Sequence, residues 1–417
     1  MTDAIRAVHG RRVWDSRGLP TVEVEVTTES GARARGIAPS GASTGRREAI
    51  ELRDGDGALG GKDVTKAVAN VDGVIAAALV GLDVADQEVV DAALDGLDAD
   101  PQRSSLGGNA TTAVSLAVLH AAAASRGVPT WSLLDPAPRY IPRPQIQILG
   151  GGAHAAHRTT VQDFMVMPLS ATTIADGLVH VAEVYRAVGE VLAARGPKRG
   201  VADEGGYWPE VTDTEDALDV LVAGIERAGF VPGVDVGISL DIAASQFHQA
   251  DGYRIGDEVK SSDDWIDHLL RICADYPVVT LEDPADEDDT AGMQRAVARG
   301  ETVVVGDDYL VTSADRIHAA AELGAVDAVL VKVNQVGTVS GAARAIRAAR
   351  ERSLGIIVSA RSGESEDVSV AHLAVGWGAD VVKVGSITRG ERTAKWNELI
   401  RIDEQLGGLP LAPLYSR

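Results

Sequence analysis

Six polar positions, each closing a short apolar run, form the chemistry-bearing feature of this sequence. Gly237-Ile-Ser-Leu is followed by Asp241, Val278-Val-Thr-Leu by Glu282, and Thr302-Val-Val-Val-Gly by Asp307. Ala328-Val-Leu-Val is followed by Lys332, Ile356-Ile-Val-Ser by Ala360-Arg361-Ser362, and Val381-Val382 by Lys383. Successive positions lie 41, 25, 25, 29 and 22 residues apart, which leaves room for one helix and its turns. Three carboxylates held together without a counter-charge repel and raise one another's pKa. An all-oxygen set of this kind suits a hard divalent cation, above all magnesium. A lysine beside a metal and a second ammonium has its pKa lowered toward neutrality and becomes a usable general base. The implied reaction is proton abstraction next to a carboxylate, with the metal holding the enediolate. A single acid at a strand end more often caps the following helix. Lysine does not cap helix N-termini, so the ordered series Asp, Glu, Asp, Lys, Arg, Lys favours a site.

Such a series needs a scaffold that delivers many strand ends to one place. After residue 140, short β-branched runs recur at Phe164–Met167, Val236–Leu240, Val278–Leu281, Thr302–Val305, Ala328–Val331, Ile356–Ser359 and Val381–Val382. Helical patterns such as Glu215–Ala228 and Ser340–Arg352 lie between most of them. Repeated strand–helix units predict a parallel sheet with right-handed crossovers. Their number predicts a closed α/β barrel over residues 139–417, with the polar positions at its catalytic end. Residues 1–130 read differently, as a small α+β capping domain. Thr21–Thr28 alternates like a half-buried antiparallel strand, with Arg33–Ala38 as partner across Glu29-Ser30-Gly31. Val64–Leu79 and Thr111–Ser125 carry apolar residues at helical spacing. The patch Pro129–Pro144 holds five prolines and reads as a linker. The fold class is therefore α/β: a small N-terminal α+β domain followed by one barrel.

Composition narrows the function. The 417 residues are 45% hydrophobic but only 4% aromatic, which predicts a core of small aliphatic side chains and close backbone packing. Lys+Arg 39 against Asp+Glu 61 leaves a net charge of −22, which argues against nucleic-acid binding. It does not exclude a small anionic ligand, because a metal or a few local cations override the global field. One cysteine, Cys273, allows neither an intramolecular disulfide nor a cysteine-based zinc site. Met1–Arg12 lacks the apolar run of a secretory signal, and no uncharged apolar stretch is long enough to span a membrane. The expectation is a cytoplasmic protein with no membrane partner.

At these residues the chain resembles the enolase family, magnesium-dependent enzymes that interconvert 2-phosphoglycerate and phosphoenolpyruvate. The resemblance runs from Asp15-Ser-Arg-Gly18 through Pro39-Ser-Gly-Ala-Ser-Thr-Gly45, Asp203-Glu-Gly-Gly206 and Leu281-Glu-Asp-Pro284. It continues through Gly306-Asp-Asp308, Lys332-Val-Asn-Gln335, Arg361-Ser-Gly-Glu364 and Arg389–Arg401. It implies that Asp241, Glu282 and Asp307 hold a first Mg2+, and that Ser43, in a mobile loop, helps bind a second with the substrate phosphate. It further implies Lys332 as base and Glu204 as the acid assisting departure of hydroxide. Lys383 would pair with the substrate carboxylate, and Arg361 and Ser362 with the phosphate. His154 and Gln162 match further active-site positions. A homodimer or higher homo-oligomer is also implied.

The chain departs from the family pattern inside this pocket. Ala360 stands where the family has a substrate-contacting histidine, and Asp163 where it has glutamate, a retreat of about 1.5 Å. Gly150 and His157 each replace an asparagine, and Arg46 and Arg47 replace an apolar or aromatic pair. Ala360 opens space beside the phosphate position, and the two arginines add positive charge near the closing loop. These changes suit a larger, more anionic phospho-acid. The favoured reading is a reaction resembling carboxyphosphonoenolpyruvate synthase of phosphinothricin-like antibiotic biosynthesis, with a cytidylyl-activated phosphonate as second substrate. The alternatives are a glycolytic enolase and a catalytically inactive enolase-like binding protein.

Overall fold

The computed structural model describes residues 2–197 and 200–414. Its N-terminal part is an antiparallel sheet of β1 (Ile5–Trp14), β2 (Pro20–Thr28) and β3 (Arg33–Ile37), in that order. One face is covered by α1 (Thr65–Asn70), α2 (Ala76–Leu79), α3 (Gln87–Leu97) and α4 (Gly108–Arg126). A single wider turn, Val71–Ile75, joins α1 to α2. Strand β1 carries three arginines and a histidine among its alternating exposures, which hid it from the apolar-run criterion. Helix α4 is almost wholly buried although it is built from Ala, Thr, Ser and Val. Small residues are required there: a Cβ on Gly36 of β3 would lie 2.5 Å from the backbone nitrogen of Ala117. The low aromatic content thus has a local cause, the close approach of helix to sheet.

The proline patch is not a plain linker. Thr130–Leu133 forms a short helical turn, and the first barrel strand, β4 (Arg143–Gly150), begins inside the patch. Its buried Gln145 and Gln147 interrupt any apolar run, so periodicity missed it. The barrel continues with β5 (Asp163–Pro168), α5 (Ile174–Arg195), α6 (Thr214–Arg227) and β6 (Val236–Asp241). A small antiparallel excursion follows, β7 (His248–Gln249), β8 (Gly252–Ile255) and β9 (Glu258–Lys260). Then come α7 (Ser262–Asp275), β10 (Val278–Glu282), α8 (Thr290–Arg299), β11 (Val303–Gly306), α9 (Ala314–Leu323) and β12 (Ala328–Val331). The chain closes with α10 (Val333–Val336), α11 (Val339–Glu351), β13 (Gly355–Ser359), α12 (Ser369–Gly376), β14 (Val381–Ser386) and α13 (Gly390–Gln405). No helix among the described residues is long and apolar enough to cross a membrane.

The strands close in the order β10-β11-β12-β13-β14-β4-β5-β6. The expectation of an entirely parallel sheet is corrected at β5, which pairs antiparallel with both β4 and β6. Gly151–Gln162 is too short for a helical crossover, so β4 and β5 form a hairpin. The consequence is functional. The start of β5, not its end, lies at the barrel mouth where Asp241 ends β6, and Asp163 pairs in register with Asp241. Met167, Val305, Ala328, Leu330, Ile357 and Val381 fill the barrel interior below that mouth.

Candidate active site

Asp241 and Glu282 are the last residues of β6 and β10 and are register partners. Asp307 follows β11, and Lys332 follows β12. Their capping alternative fails. The helices α7, α8, α9 and α11 are capped by Ser261, Asp289, Ser313 and Thr338, and Lys332 precedes α10 without a side-chain cap. Lys383 of β14 points across the mouth, its Nζ 2.8 Å from Asp241 Oδ2 and 2.8 Å from both oxygens of Glu282. Gln162 donates to the same Asp241 oxygen at 3.0 Å. Lys332 donates to Asp307 Oδ2, while Gln335 donates to Asp307 Oδ1 at 2.8 Å.

The electrostatics follow from burial and proximity. Burial, reinforced by Asp241, raises Glu282 well above the ordinary carboxylate range. Burial disfavours the Lys383 ammonium, yet Asp241 and Glu282 together hold it well above the usual lysine range. For Lys332, burial is likewise outweighed by Asp307, so its pKa is raised rather than lowered. The expected lowering therefore does not arise from the protein's own charges. Nor do Asp241, Glu282 and Asp307 form a mutually close triad among the described residues, because the two ammonium groups sit among them. The close sets are Asp283–Asp307–Asp308 and His154–Asp163–Glu204. The buried carboxylates of the mouth, which Lys383 and Lys332 now neutralise, are oxygen donors of the kind that suits a hard divalent cation.

The N-terminal part supplies one wall. Ser40 and Gly363 exchange backbone hydrogen bonds at 2.8 and 2.7 Å, anchoring the loop that carries Ser43. Arg361 donates to Ser43 O at 2.9 Å, Asn334 Oδ1 at 3.1 Å and Glu48 Oε2 at 2.8 Å. Only glycine fits at position 41, where a Cβ would lie 2.0 Å from an Arg361 nitrogen. Ser362 Oγ accepts from Ala42 N at 2.6 Å. Behind them, the buried Arg392 and Lys395 of α13 donate to the carbonyls of Arg361 and Ser365 at 2.6 Å each. Sequence reasoning missed Glu48, Asn334 and Gln335 as site residues. The first follows the arginine pair, and the others lie inside the quoted Lys-Val-Asn-Gln segment.

A second group stands opposite. His154 Nδ1 is 2.8 Å from Asp163 Oδ1, and its Nε2 is 3.8 Å from Glu204 Oε1. Burial opposes the imidazolium, but Asp163 and Glu204 prevail and raise His154 to about 9. Gln147 also donates to Asp163 Oδ1, whereas Asp163 Oδ2 is buried with no partner among the described residues. Gly150 sits where Ala202 leaves no room, since a Cβ there would lie 2.3 Å from the Ala202 Cβ. The cavity thus formed, about 20 Å³, is bounded by Ser43, His154, Gln162, Asp163, Glu204, Asp241, Lys332, Ala360, Arg361, Ser362 and Lys383.

Three expected residues lie outside it. His157 is exposed and borders a neighbouring groove with Thr212 and Gln246. Arg46 and Arg47 do not present free charge to the cavity. Arg46 binds Glu287 at 2.7 Å, Asp288 at 2.8 Å and Asp286 at 3.1 Å, and Arg47 binds Glu287 at 3.2 Å and also Asp288. The acidic turn 286–288 neutralises them because it packs directly over the loop end.

Two family models match this chain. One, described as the enolase N-terminal domain, covers residues 5–134, and the other, the enolase C-terminal TIM barrel domain, covers residues 138–411.

Proposed function

The chain belongs to the enolase family, and on that footing we propose that it is a magnesium-dependent lyase forming an enolpyruvate from a 2-phosphoglycerate-type acid. The observation that carries this reading is the cavity lined by Lys332, Glu204, Lys383, Arg361 and Asp241, with Asp307 and Glu282 bonded to its two lysines. Lys332 takes the proton α to the substrate carboxylate. Glu204, 3.8 Å from His154, gives a proton to the departing hydroxide on the opposite face. His154 and Asp163 hold the orientation of that acid. Arg361, Ser362 and Ser43 receive the phosphate, and Lys383 the carboxylate. Asp241, Glu282 and Asp307 would hold one Mg2+ and Ser43 would help hold a second, and such ions would supply positive charge that acidifies the proton α to the substrate carboxylate.

The favoured substrate is larger than 2-phosphoglycerate at the phosphate end, as in carboxyphosphonoenolpyruvate synthase-type chemistry with a cytidylyl-activated phosphonate. Ala360 supports it, because only a methyl group stands at that wall. A glycolytic enolase is the second reading, and one observation favours it: the charges of Arg46 and Arg47 are met by residues 286–288, so the rim has gained no free cation for a further anionic group. Incubation with 2-phosphoglycerate and Mg2+, followed by enolpyruvate absorbance, separates the two. Turnover at the rates of central metabolism sinks the enlarged-substrate reading. Absence of solvent deuterium exchange at the α-carbon of every phospho-acid tried would favour an inactive binding protein instead. A homo-oligomeric assembly and a cytoplasmic location belong to the same proposal.

A further inference from the structure

A second cavity adjoins the catalytic one and shares two residues with it, Ser359 and Ala360. It measures about 40 Å³ and lies between α4 and the ends of β12 and β13. On this measure it holds roughly three water-sized groups. Its walls include Ile37, Pro39, Leu116, Val333 and Leu373. Asn334 also lines it and accepts from the Arg361 guanidinium at 3.1 Å, so the cavity lies on the Arg361 side of the barrel mouth, behind Ala360.

One polar group in it calls for a partner. Thr112 is fully buried in the second turn of α4, lines this cavity, and its Oγ1 has no hydrogen-bond partner among the described residues. A buried hydroxyl is ordinarily satisfied, and an orphan facing a cavity marks where a ligand's polar atom completes it. The charge of the cavity is equally specific. No lysine, arginine or histidine lines it. Its two acids are internally engaged: Glu364 by Lys395 at 3.0 Å, and Asp367 by the backbone nitrogens of Ile37 and Ser369 at 2.9 and 2.7 Å. An anionic group would meet these carboxylates without a counter-charge.

We infer that the cavity behind Ala360 is a substrate subsite that receives a small uncharged substituent, carried on the phosphorus end and hydrogen-bonded by Thr112. The inference rests on the proposed phospho-acid reading and narrows it. Any added carboxylate stays on the Arg361 side of Ala360, and the part that passes the alanine is neutral.

The test uses the full chain with Mg2+ and four charge-matched or charge-extended esters of 2-phosphoglycerate at phosphorus: methyl, ethyl, 2-hydroxyethyl and carboxymethyl. Calorimetry gives affinity, and α-proton exchange in deuterated water gives chemistry. The ethyl ester is expected to bind at least as well as the methyl ester and the hydroxyethyl ester better still, with the carboxymethyl ester weakest. Val370→Phe, a half-buried wall residue, should lower the ethyl-to-methyl affinity ratio about tenfold, as loss of room for one carbon does. Thr112→Val keeps the shape and should remove only the hydroxyethyl advantage. Affinity that falls from methyl to ethyl, or a carboxymethyl ester that binds best, overturns the subsite. So does a Val370→Phe variant that leaves the ratio unchanged. If neither 2-phosphoglycerate nor any of the four esters binds or exchanges, the functional reading fails, and the subsite fails with it.

Discussion

Replacing Glu48 by glutamine probes the least legible part of the site. Glu48 and Arg361 form an ion pair at 2.8 Å with side chains 5% and 3% exposed. Glutamine keeps the volume and removes the charge. Breaking one side of a buried pair costs about 3–5 kcal/mol, because the remaining charge stays buried. Asp307 and Asp308 also act on Arg361, so the low end applies, about 3 kcal/mol. For a domain of this size that lowers Tm by roughly 6 °C. The freed guanidinium should then recruit an anion. Inorganic phosphate at about a hundred times its dissociation constant would return about 2.7 kcal/mol, most of the loss. Thermal unfolding of native and Glu48→Gln protein, with and without phosphate, measures both effects. A variant within about 1 °C of native, at a threshold far below the predicted shift, would refute the pairing argument. An equal phosphate increment in both proteins would refute Arg361 as the anion receptor.

Other outcomes can be checked in the same preparations. Lys332→Ala should slow α-proton exchange by about 10²- to 10⁴-fold in NMR-monitored deuterated buffer, the range for loss of a general base. Ala360→His with Asp163→Glu should raise 2-phosphoglycerate dehydration by up to about a hundredfold, since a misplacement near 1 Å costs that much; no gain in the absorbance assay would shift the block to the loop that begins at Gly150. Mg2+ should raise Tm, a chelator should reverse it, and Asp241→Asn with Glu282→Gln should abolish the increment in calorimetry. The His154 imidazolium, raised from 6.5 to about 9, contributes stability that is fully present below pH 6.5 and lost as pH rises through 9. Melting curves should therefore decline between those values, and His154→Gln should flatten the decline.

The site's chemistry was legible in the order of residue types. Asp241, Glu282, Asp307 and Lys332 each close an apolar run that becomes a barrel strand, and such a residue emerges at the mouth, whereas β14 runs three residues past Lys383, to Ser386. The arginine pair was misread for the opposite reason. Arg46 and Arg47 carry positive charge in any sequence, but the partners that neutralise it lie about 240 residues away, in the turn after β10. Similarly, the retreat of Asp163 could be named from its type, yet its unpartnered oxygen and its bond to His154 depend on β5 running against its neighbours.

By itself, then, the amino-acid sequence determined most of the barrel strands and the side chains that close them, because strand periodicity and residue type are local properties. The tertiary structure alone decided the charge state around Lys332, the neutralisation of Arg46 and Arg47, the Glu48–Arg361 pair and the second cavity beside Ala360. Each of these is a relation between distant segments, set by distance and burial, and Coulomb energies and cavities exist only once the chain has closed.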